Sequence, residues 1–289
     1  MKQHRDLEEA LRGIKNFESL NPPYSDECLV ITNKFIAKLD KEETLLKLTF
    51  KNTSSIDNIK QKLNLIGAKY KDFNEHLIGV YYTTKIDMNN TAIEGPWIEL
   101  VSDLDMVLDN YSLYGSYEGP FKRCYISEID VSNTIAVDLK RLFENCYSTN
   151  IILGNIKVKN TASTYKMFKN CRHIQKLDFG ELDLSKTESM REMFDQCNSI
   201  QEVNLSQFNI SNLKTMEDAF RYCNELERIL MPNINLGNCD IENLFLNCQK
   251  LKYIDLSSTM SHKFSIEDSS LHSLVECKIK FKDKIIEVY

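Results

Sequence analysis

The chain has 289 residues, 42% of them hydrophobic, and a formal net charge of −6, which is enough polypeptide for two domains that each bury a core. The negative charge argues against direct binding to nucleic acid, because phosphates attract clusters of Lys and Arg. No stretch approaches the roughly 18 apolar residues of a membrane-spanning helix, so we expect no membrane partner.

The N-terminal part, residues 1–85, is predicted to be a small α+β domain. Apolar residues at helical spacing alternate there with short segments in which every second residue is apolar. The predicted elements are helices over residues 5–19, 25–39 and 54–65 and strands over residues 45–50 and 76–83. About a hundred residues in this order can bury a core and cover the open end of a following repeat array.

Residues 86–122 form an acidic aromatic junction. Between Lys85 and Lys122 there is no Lys or Arg, while seven acidic residues and five aromatic ones occur. One interpretation is a binding surface for a basic partner, because Tyr and Trp are typical interface anchors and charge steers association. The other is an acidic helix over residues 97–108 that packs on the rest of the chain, followed by a loop with buried tyrosines. The candidate binding residues are Trp97, Asp103, Asp105, Asp109, Tyr111, Tyr114 and Tyr117.

Residues 123–289 are dominated by a repeat. The phrase Phe-x-x-Cys recurs with steps of 25, 26, 26 and 25 residues. The copies are Phe143/Cys146, Phe168/Cys171, Phe194/Cys197, Phe220/Cys223 and Phe245/Cys248. A fixed period of this length is typical of a solenoid, in which each unit buries its apolar face against its neighbours.

Each rung of the solenoid is predicted to contain a short strand and a short helix. The helix precedes each Phe, as in residues 187–194, and the strand follows each Cys. A fixed offset from Phe places one apolar residue of each strand inside, namely Ile152, Leu177, Val203, Ile229 and Ile254. The same alignment leaves Ile151 and Leu153 on the outer face or under the N-terminal domain. A C-terminal β cap, with Lys278 and Lys280 facing outward, is predicted to close the array.

The repeat resembles the BspA-type leucine-rich repeats of bacteria and some protists over about residues 125–260. The matching strings are Met190–Cys197, with its Met-x-x-Met-Phe pattern, and Ile254-Asp255-Leu256-Ser257. The resemblance implies an α/β leucine-rich-repeat solenoid preceded by the small α+β domain. It also implies a binding role, since members of this family are commonly secreted or surface-displayed binding proteins.

The nine cysteines and five histidines do not form a recognisable metal or catalytic motif. Five cysteines share one repeat position, which favours a ladder of buried reduced thiols, although the reach between rungs also allows disulfides. No C-x-x-C pair, phosphate loop or nucleophile motif occurs. We therefore expect no catalytic residue, no metal and no cofactor.

The outward positions of the solenoid strands give a second candidate surface, because repeat proteins commonly bind ligands on such faces. Its candidate residues are Arg228, Leu230 and Tyr253. Together the features predict a non-catalytic cytoplasmic protein-binding module, an inhibitor or effector that occupies a basic, nucleic-acid-binding type of surface on a partner. High Asn, Ile and Lys usage indicates a low-GC bacterium, its phage or a protist as the source.

Two other functions stay open. The first is a surface-displayed BspA-like adhesin whose signal peptide is missing from this sequence, since the charged N-terminus has no signal-peptide core. The second is an enzyme with its active site in the N-terminal domain.

Overall fold

The computed structural model describes residues 28–31, 35–36, 39, 47–65, 70–86, 92–108, 119–234, 239–257, 274, 276–281 and 284–288. α1 (Ile56–Leu65) is a helix in which every residue is described. The N-terminal strands are β1 (Cys28–Ile31), β2 (Lys47–Asn52), β3 (Tyr70–Asn74), β4 (Leu77–Ile86), β5 (Ala92–Ser102) and β6 (Asp105–Leu108). The later strands are β7 (Glu128–Asp130), β8 (Ile135–Asp138), β9 (Asn150–Ile152), β10 (Lys157–Asn160), β11 (Lys176–Asp178), β12 (Glu202–Asn204), β13 (Arg228–Leu230), β14 (Tyr253–Asp255), β15 (Cys277–Phe281) and β16 (Lys284–Val288).

These strands form three sheets. The first has the order β1-β6-β8-β10, the second β11-β9-β7-β2-β5-β4-β3 and the third β12-β13-β14-β15-β16. Pairing is parallel except between β3 and β4, β4 and β5, and β15 and β16. Parallel pairing of strands one turn apart defines a β-solenoid, and β2 joins it to the N-terminal strands by pairing with both β7 and β5. Within the described residues, no helix has the length and apolar character needed to span a membrane.

The described part of the solenoid has six turns, because Phe121 and Cys124 form a copy of Phe-x-x-Cys that precedes the five predicted from the sequence. Phe121 precedes Phe143 by only 22 residues, so this copy does not fit the period of 25 or 26 residues that the other five share. The six Phe rings form a continuous stack with centroid distances of 5.0, 5.4, 5.4, 5.2 and 5.9 Å. We call the turns rungs 1 to 6 after Phe121, Phe143, Phe168, Phe194, Phe220 and Phe245.

The short helix predicted in each rung is wrong. The residues that lead into each Phe form consecutive turns, in which every second amide donates to the next rung instead of to its own. Phe168 N, for example, donates to the Met193 carbonyl at 2.9 Å, and Phe194 N to the Ala219 carbonyl at 2.8 Å. In each of rungs 2 to 6, two residues with positive φ values interrupt any helix, one of them being Glu192 (54°) in rung 4. Cross-rung hydrogen bonds therefore override the helical pattern of the sequence.

The strand register in rung 2 also differs from the prediction. Ile151 pairs with Leu177 and Ile129, so Ile151 and not Ile152 is the inward residue of β9. Ile151 and Leu153 are buried in the solenoid core, whereas Ile152 is half-buried. The reason is that rungs 1 and 2 have one residue fewer between Cys and strand than rungs 3 to 6. A one-residue change reverses the facing of every side chain in a strand.

Short polar side chains fix the corners of the solenoid. At the end of the strands, Asp130, Asp178, Asn204 and Asp255 each accept a hydrogen bond from the main-chain amide two residues later. This local bond stabilises a turn and satisfies an amide that leaves the sheet. At the same corner Gly180 has a φ of +54°, and an added Cβ would lie 1.9 Å from the Gly154 carbonyl oxygen. Between Gly154 and Gly180, rungs 2 and 3 therefore approach so closely that only glycine fits at position 180.

Three of the predicted N-terminal elements are confirmed. They are the strand over residues 45–50, now β2, the helix over 54–65, now α1, and the strand over 76–83, now β4. The helix predicted over residues 25–39 is wrong at its start, where Leu29 and Ile31 of β1 are buried at strand spacing opposite Met106 and Leu108 of β6. The helix predicted over residues 5–19 lies outside the described residues.

The acidic helix considered for residues 97–108 is also wrong. This segment is strand β5, the turn at 103–104 and strand β6. Ile98 and Leu100 are buried while Glu99 between them is half-exposed, and β5 lies between β2 and β4. One apolar cluster runs from Leu29 to Ile279, and a smaller one under α1 contains Ile56. The domain boundaries at residues 85/86 and 122/123 stay predictions.

The C-terminal cap contains two strands. β15 continues the parallel ladder after β14, and β16 returns antiparallel to it. Ile279 is buried while Lys278 is exposed, as the alternation in the sequence predicts.

Candidate functional site

Three of the predicted binding residues lie side by side on the outer face of the third sheet. Arg228 is the direct cross-strand neighbour of Tyr253, and Leu230 lies two residues further along β13. The Arg228 guanidinium lies 5.1 Å from the centroid of the Tyr253 ring, and its Nε is 3.2 Å from a Glu202 carboxylate oxygen. We call Arg228, Leu230 and Tyr253 the strand-face patch.

The geometry of the strand-face patch holds its side chains in place while leaving them accessible. The Arg228 side chain keeps 53% of its surface exposed despite both contacts. Arg and Tyr contribute much of the binding free energy in many protein interfaces, and a side chain that is already ordered loses less entropy on binding. The patch can therefore present a cation, an aromatic ring and an aliphatic group within two strands.

Charged pairs across neighbouring strands occur in both the second and the third sheet. Lys280 Nζ lies 3.5 Å from the Asp255 carboxylate in the third sheet, and Lys47 Nζ 2.5 Å from the Glu128 carboxylate in the second. Burial raises the pKa of Asp255, but hydrogen bonds from Ser257 and the charge of Lys280 outweigh it and leave the pKa below its usual value. The rest of the strand face is thus largely compensated in charge.

The acidic junction has a different arrangement. Asp103 lies between β5 and β6, and its Oδ1 is 3.1 Å from Nδ1 of His76 in the turn between β3 and β4. Asp105 begins β6 and is exposed. Trp97 pairs through its main chain with Lys47, and only its backbone is described. Asp109, Tyr111, Tyr114 and Tyr117 lie outside the described residues.

The structure therefore brings some of the predicted residues together and separates others. Arg228, Leu230 and Tyr253 form one patch in the third sheet, whereas Trp97 belongs to the second sheet. Asp103 and Asp105 lie at one end of β5 and β6 and are not part of the patch. The two predicted surfaces are thus two separate candidate sites.

A stack of aromatic side chains was missed by the sequence analysis. The Tyr125 ring lies 4.6 Å from that of Tyr147 with planes 4° apart, and the Tyr147 ring lies 5.8 Å from that of His173. Tyr125 is 66% exposed. Recognising the Phe121 copy would have aligned Tyr125 with Tyr147, because each tyrosine directly follows its repeat cysteine.

The repeat cysteines are structural. The eight cysteines whose side chains are described are buried and form no disulfide bond. Each ladder thiol from rung 3 to rung 6 donates to the carbonyl of the preceding rung's Phe, as Cys197 Sγ does to Phe168 O at 3.1 Å. Burial raises the pKa of the Cys248 thiol to about 12 and that of the Cys197 thiol well above its usual value. These thiols are protonated at neutral pH and are poor nucleophiles.

A buried carboxylate connects three rungs on the turn side. Asp195 is fully buried and accepts two hydrogen bonds from the Arg221 guanidinium, both 3.0 Å long, while Lys169 Nζ lies 2.9 Å away. Burial raises the pKa of Asp195, but the bonds from Arg221 and Lys169 outweigh it and hold the pKa below its usual value. Within the described part of the chain, no group of three or more His, Cys, Asp or Glu side chains could hold a metal ion.

The repeat region is similar in sequence to one known protein family. Residues 117–258 match the family described as Mycoplasma protein of unknown function, DUF285. This family is related to the BspA-like repeats, and the match is to it and not directly to a leucine-rich-repeat family. The match includes all six Phe-x-x-Cys copies and covers just under half of the chain. No curated protein and no solved structure matches the chain.

Proposed function

We propose that this chain is a non-catalytic protein-binding module that presents the strand face of its solenoid to a partner protein. The strand-face patch carries the proposal, because it combines Arg228, which is held between the Glu202 carboxylate and the Tyr253 ring, with the adjacent Tyr253 and Leu230. Residues of these types in such a cluster are typical of interface hot spots.

We propose further that the partner is basic and that the chain acts on it as an inhibitor or effector. The support is the net charge of −6 and the lack of Lys and Arg between residues 85 and 122. The exposed Asp105 belongs to this acidic segment. Asp103 contributes less, because it is half-buried against His76.

The experiment is an affinity purification from the source cell with three baits. The first is the wild-type chain, the second Arg228→Ala/Tyr253→Ala and the third Lys250→Ala/Glu225→Ala. Lys250 and Glu225 form an exposed ion pair of 2.6 Å on the same rungs but outside the patch, so the third bait is a matched control. We expect a stoichiometric partner that the control retains and the patch variant loses. A partner that binds all three baits equally would refute the patch as the site.

The acidic junction is tested separately with Asp105→Lys. A basic partner should bind this variant more weakly than wild type. The difference in affinity should be larger at low salt than at high salt, because ions screen exposed charges. Affinity and salt dependence equal to wild type would remove the acidic junction from the proposal.

The second candidate function is a surface-displayed adhesin of the BspA-like type. It is favoured by the match to a family related to these repeats. Brief protease treatment of intact source cells distinguishes the two candidates, since a surface protein is degraded and a cytoplasmic one is protected.

A further inference from the structure

The outer edge of β10 has open main-chain hydrogen-bonding groups. β10 is the last strand of the first sheet and pairs on its inner side with β8, where Lys157 N donates to the Thr134 carbonyl at 3.0 Å. Successive residues of a strand direct their main-chain groups to opposite sides. Val158 and Asn160 therefore direct theirs away from β8. Among the described residues, no main-chain hydrogen bond reaches either of them from that outer side.

The next turn of the solenoid passes this edge without closing on it. Within the described residues, this turn is joined to the turn that contains β10 by main-chain hydrogen bonds on both sides of β10, before it and after it. Glu181 N donates to the Gly154 carbonyl at 2.8 Å, and Glu188 N donates to the Ala162 carbonyl at 2.9 Å. The segment over residues 182–186 is not a strand. The wall of the solenoid is thus open between two closed points.

A cavity of about 310 Å³ occupies this gap. Its lining includes the buried side chains of Ile156 and Leu182 and the partly buried Val158, next to the polar Asn160. The volume is roughly ten times the 30 Å³ that one water molecule takes in the liquid. It is therefore large enough for a short stretch of polypeptide, and we call it the β10 groove.

The charges along the β10 groove are balanced. Lys159 and Lys186 line it together with Glu181 and Asp183. Asp183 accepts a hydrogen bond from the Ser185 amide at 2.8 Å, so its carboxylate is already engaged in a local turn. An anionic or cationic ligand would gain little here. The open main-chain groups, spaced two residues apart along an extended strand, instead match the main chain of another extended polypeptide.

We propose that the β10 groove binds an uncharged, extended segment of a partner protein by β-strand addition. The main chain of the segment pairs with Val158 and Asn160, and a small apolar side chain lies over Ile156 and Leu182. This inference rests on the proposed protein-binding function and adds a contact outside the strand-face patch. Strand addition satisfies edge groups that would otherwise face only water.

The test compares two variants of one residue. Val158→Pro removes the open amide, and proline is tolerated in edge strands where the N–H faces outward. Val158→Ala keeps that amide and removes most of the side chain, so it controls for lost packing. Lys159→Pro is a positional control, because its amide faces β8 and its loss should lower the thermal transition of the chain.

The probe is a library of random linear peptides displayed on phage and selected on the full wild-type chain. Enriched peptides are then measured against wild type, Val158→Ala, Val158→Pro and Arg228→Ala/Tyr253→Ala. We expect peptides that bind the first, second and fourth proteins alike and bind Val158→Pro about tenfold more weakly, the effect of losing one hydrogen bond. The affinity should change little with salt.

Three results would overturn the groove. The first is that the selection enriches no peptide. The second is that the enriched peptides bind Val158→Pro as tightly as wild type. The third is that only the Arg228→Ala/Tyr253→Ala variant binds the peptides more weakly. The last result would support the strand-face patch and reject the groove, so the two proposals fail separately. Amide hydrogen exchange on the wild-type chain adds a measurement that needs no variant. Exchange at Val158 should slow when a peptide binds, and unchanged exchange would refute main-chain pairing.

Discussion

Replacing Phe194 with alanine removes a fully buried ring that is stacked on both sides. Its centroid lies 5.4 Å from that of Phe168 and 5.2 Å from that of Phe220. A Phe→Ala change in a core costs about 3–5 kcal/mol. Phe121, at the start of the stack, is equally buried but has a stacked ring on one side, Phe143 at 5.0 Å. Phe194 also has an edge-on contact with Phe179, with ring centroids 6.5 Å apart, so among the described residues it makes two more aromatic pairs than Phe121. Since one aromatic pair contributes about 0.5–1.5 kcal/mol beyond burial, Phe194→Ala should cost about 1–3 kcal/mol more than Phe121→Ala.

Urea unfolding followed by circular dichroism measures both free energies. Each rung is stabilised mainly by its neighbours, so Phe194→Ala should also lower the cooperativity of the transition. Phe121→Ala should affect one end of the array and leave the slope closer to wild type. Equal losses for the two variants, or a loss for Phe194→Ala below about 1 kcal/mol, would show that the ring stack does not hold the rungs together.

Three further predictions concern charge, thiols and glycine. In the folded chain the pKa of Asp195 lies below its unfolded value. The stability that this carboxylate provides should therefore be complete above about pH 4 and be lost as the pH falls through the lower folded pKa. The free energy of unfolding should fall more steeply between pH 6 and pH 2 for wild type than for Asp195→Asn, and parallel curves for the two proteins would refute this. Cys197 should resist iodoacetamide in the native chain and react in urea, and fast native labelling would contradict its burial. Gly180→Ala should lower the thermal transition by more than a Ser206→Ala change at the same corner in the next rung, and equal shifts would show that the close approach to Gly154 is relieved without cost.

The sequence predicted the solenoid because its inner residues recur at a fixed period. The Phe and Cys positions of five rungs and the inward residues Leu177, Val203, Ile229 and Ile254 follow from that period alone. The first rung and the facing of Ile151 did not, because rungs 1 and 2 are shorter and a fixed offset cannot detect a missing residue. Local spacing shows which residues repeat, but not where a rung is shortened.

The predicted helix in each rung failed for a different reason. Residues such as 187–194 have helical spacing and good helix formers, yet every second amide from Met190 to Phe194 bonds to the next rung. A bond between rungs depends on residues about 26 positions away, which local propensity does not include. The same limit applies to the candidate sites. Arg228 and Tyr253 were found because the repeat aligns them, whereas the β10 groove arises from a gap between rungs that no residue type indicates.

The break in the strand ladder between β11 and β12 has a mechanical consequence. No strand pairing joins these two strands in the described residues, while on the opposite side Phe168 N and Asn170 N still donate across the same boundary at 2.9 and 2.7 Å. Near the strands this boundary is crossed by two side-chain hydrogen bonds, from Ser199 Oγ to the Arg172 carbonyl at 2.8 Å and from Gln207 Nε2 to the Gly180 carbonyl at 3.3 Å. Bending the array there can therefore widen the strand side at the cost of these two bonds, without breaking a hydrogen bond between main-chain atoms of the two strands. The boundary between β13 and β14 would have to break its ladder to bend in the same way. Among the described residues, this boundary is therefore a place where the curvature of the solenoid can change with little loss of main-chain pairing.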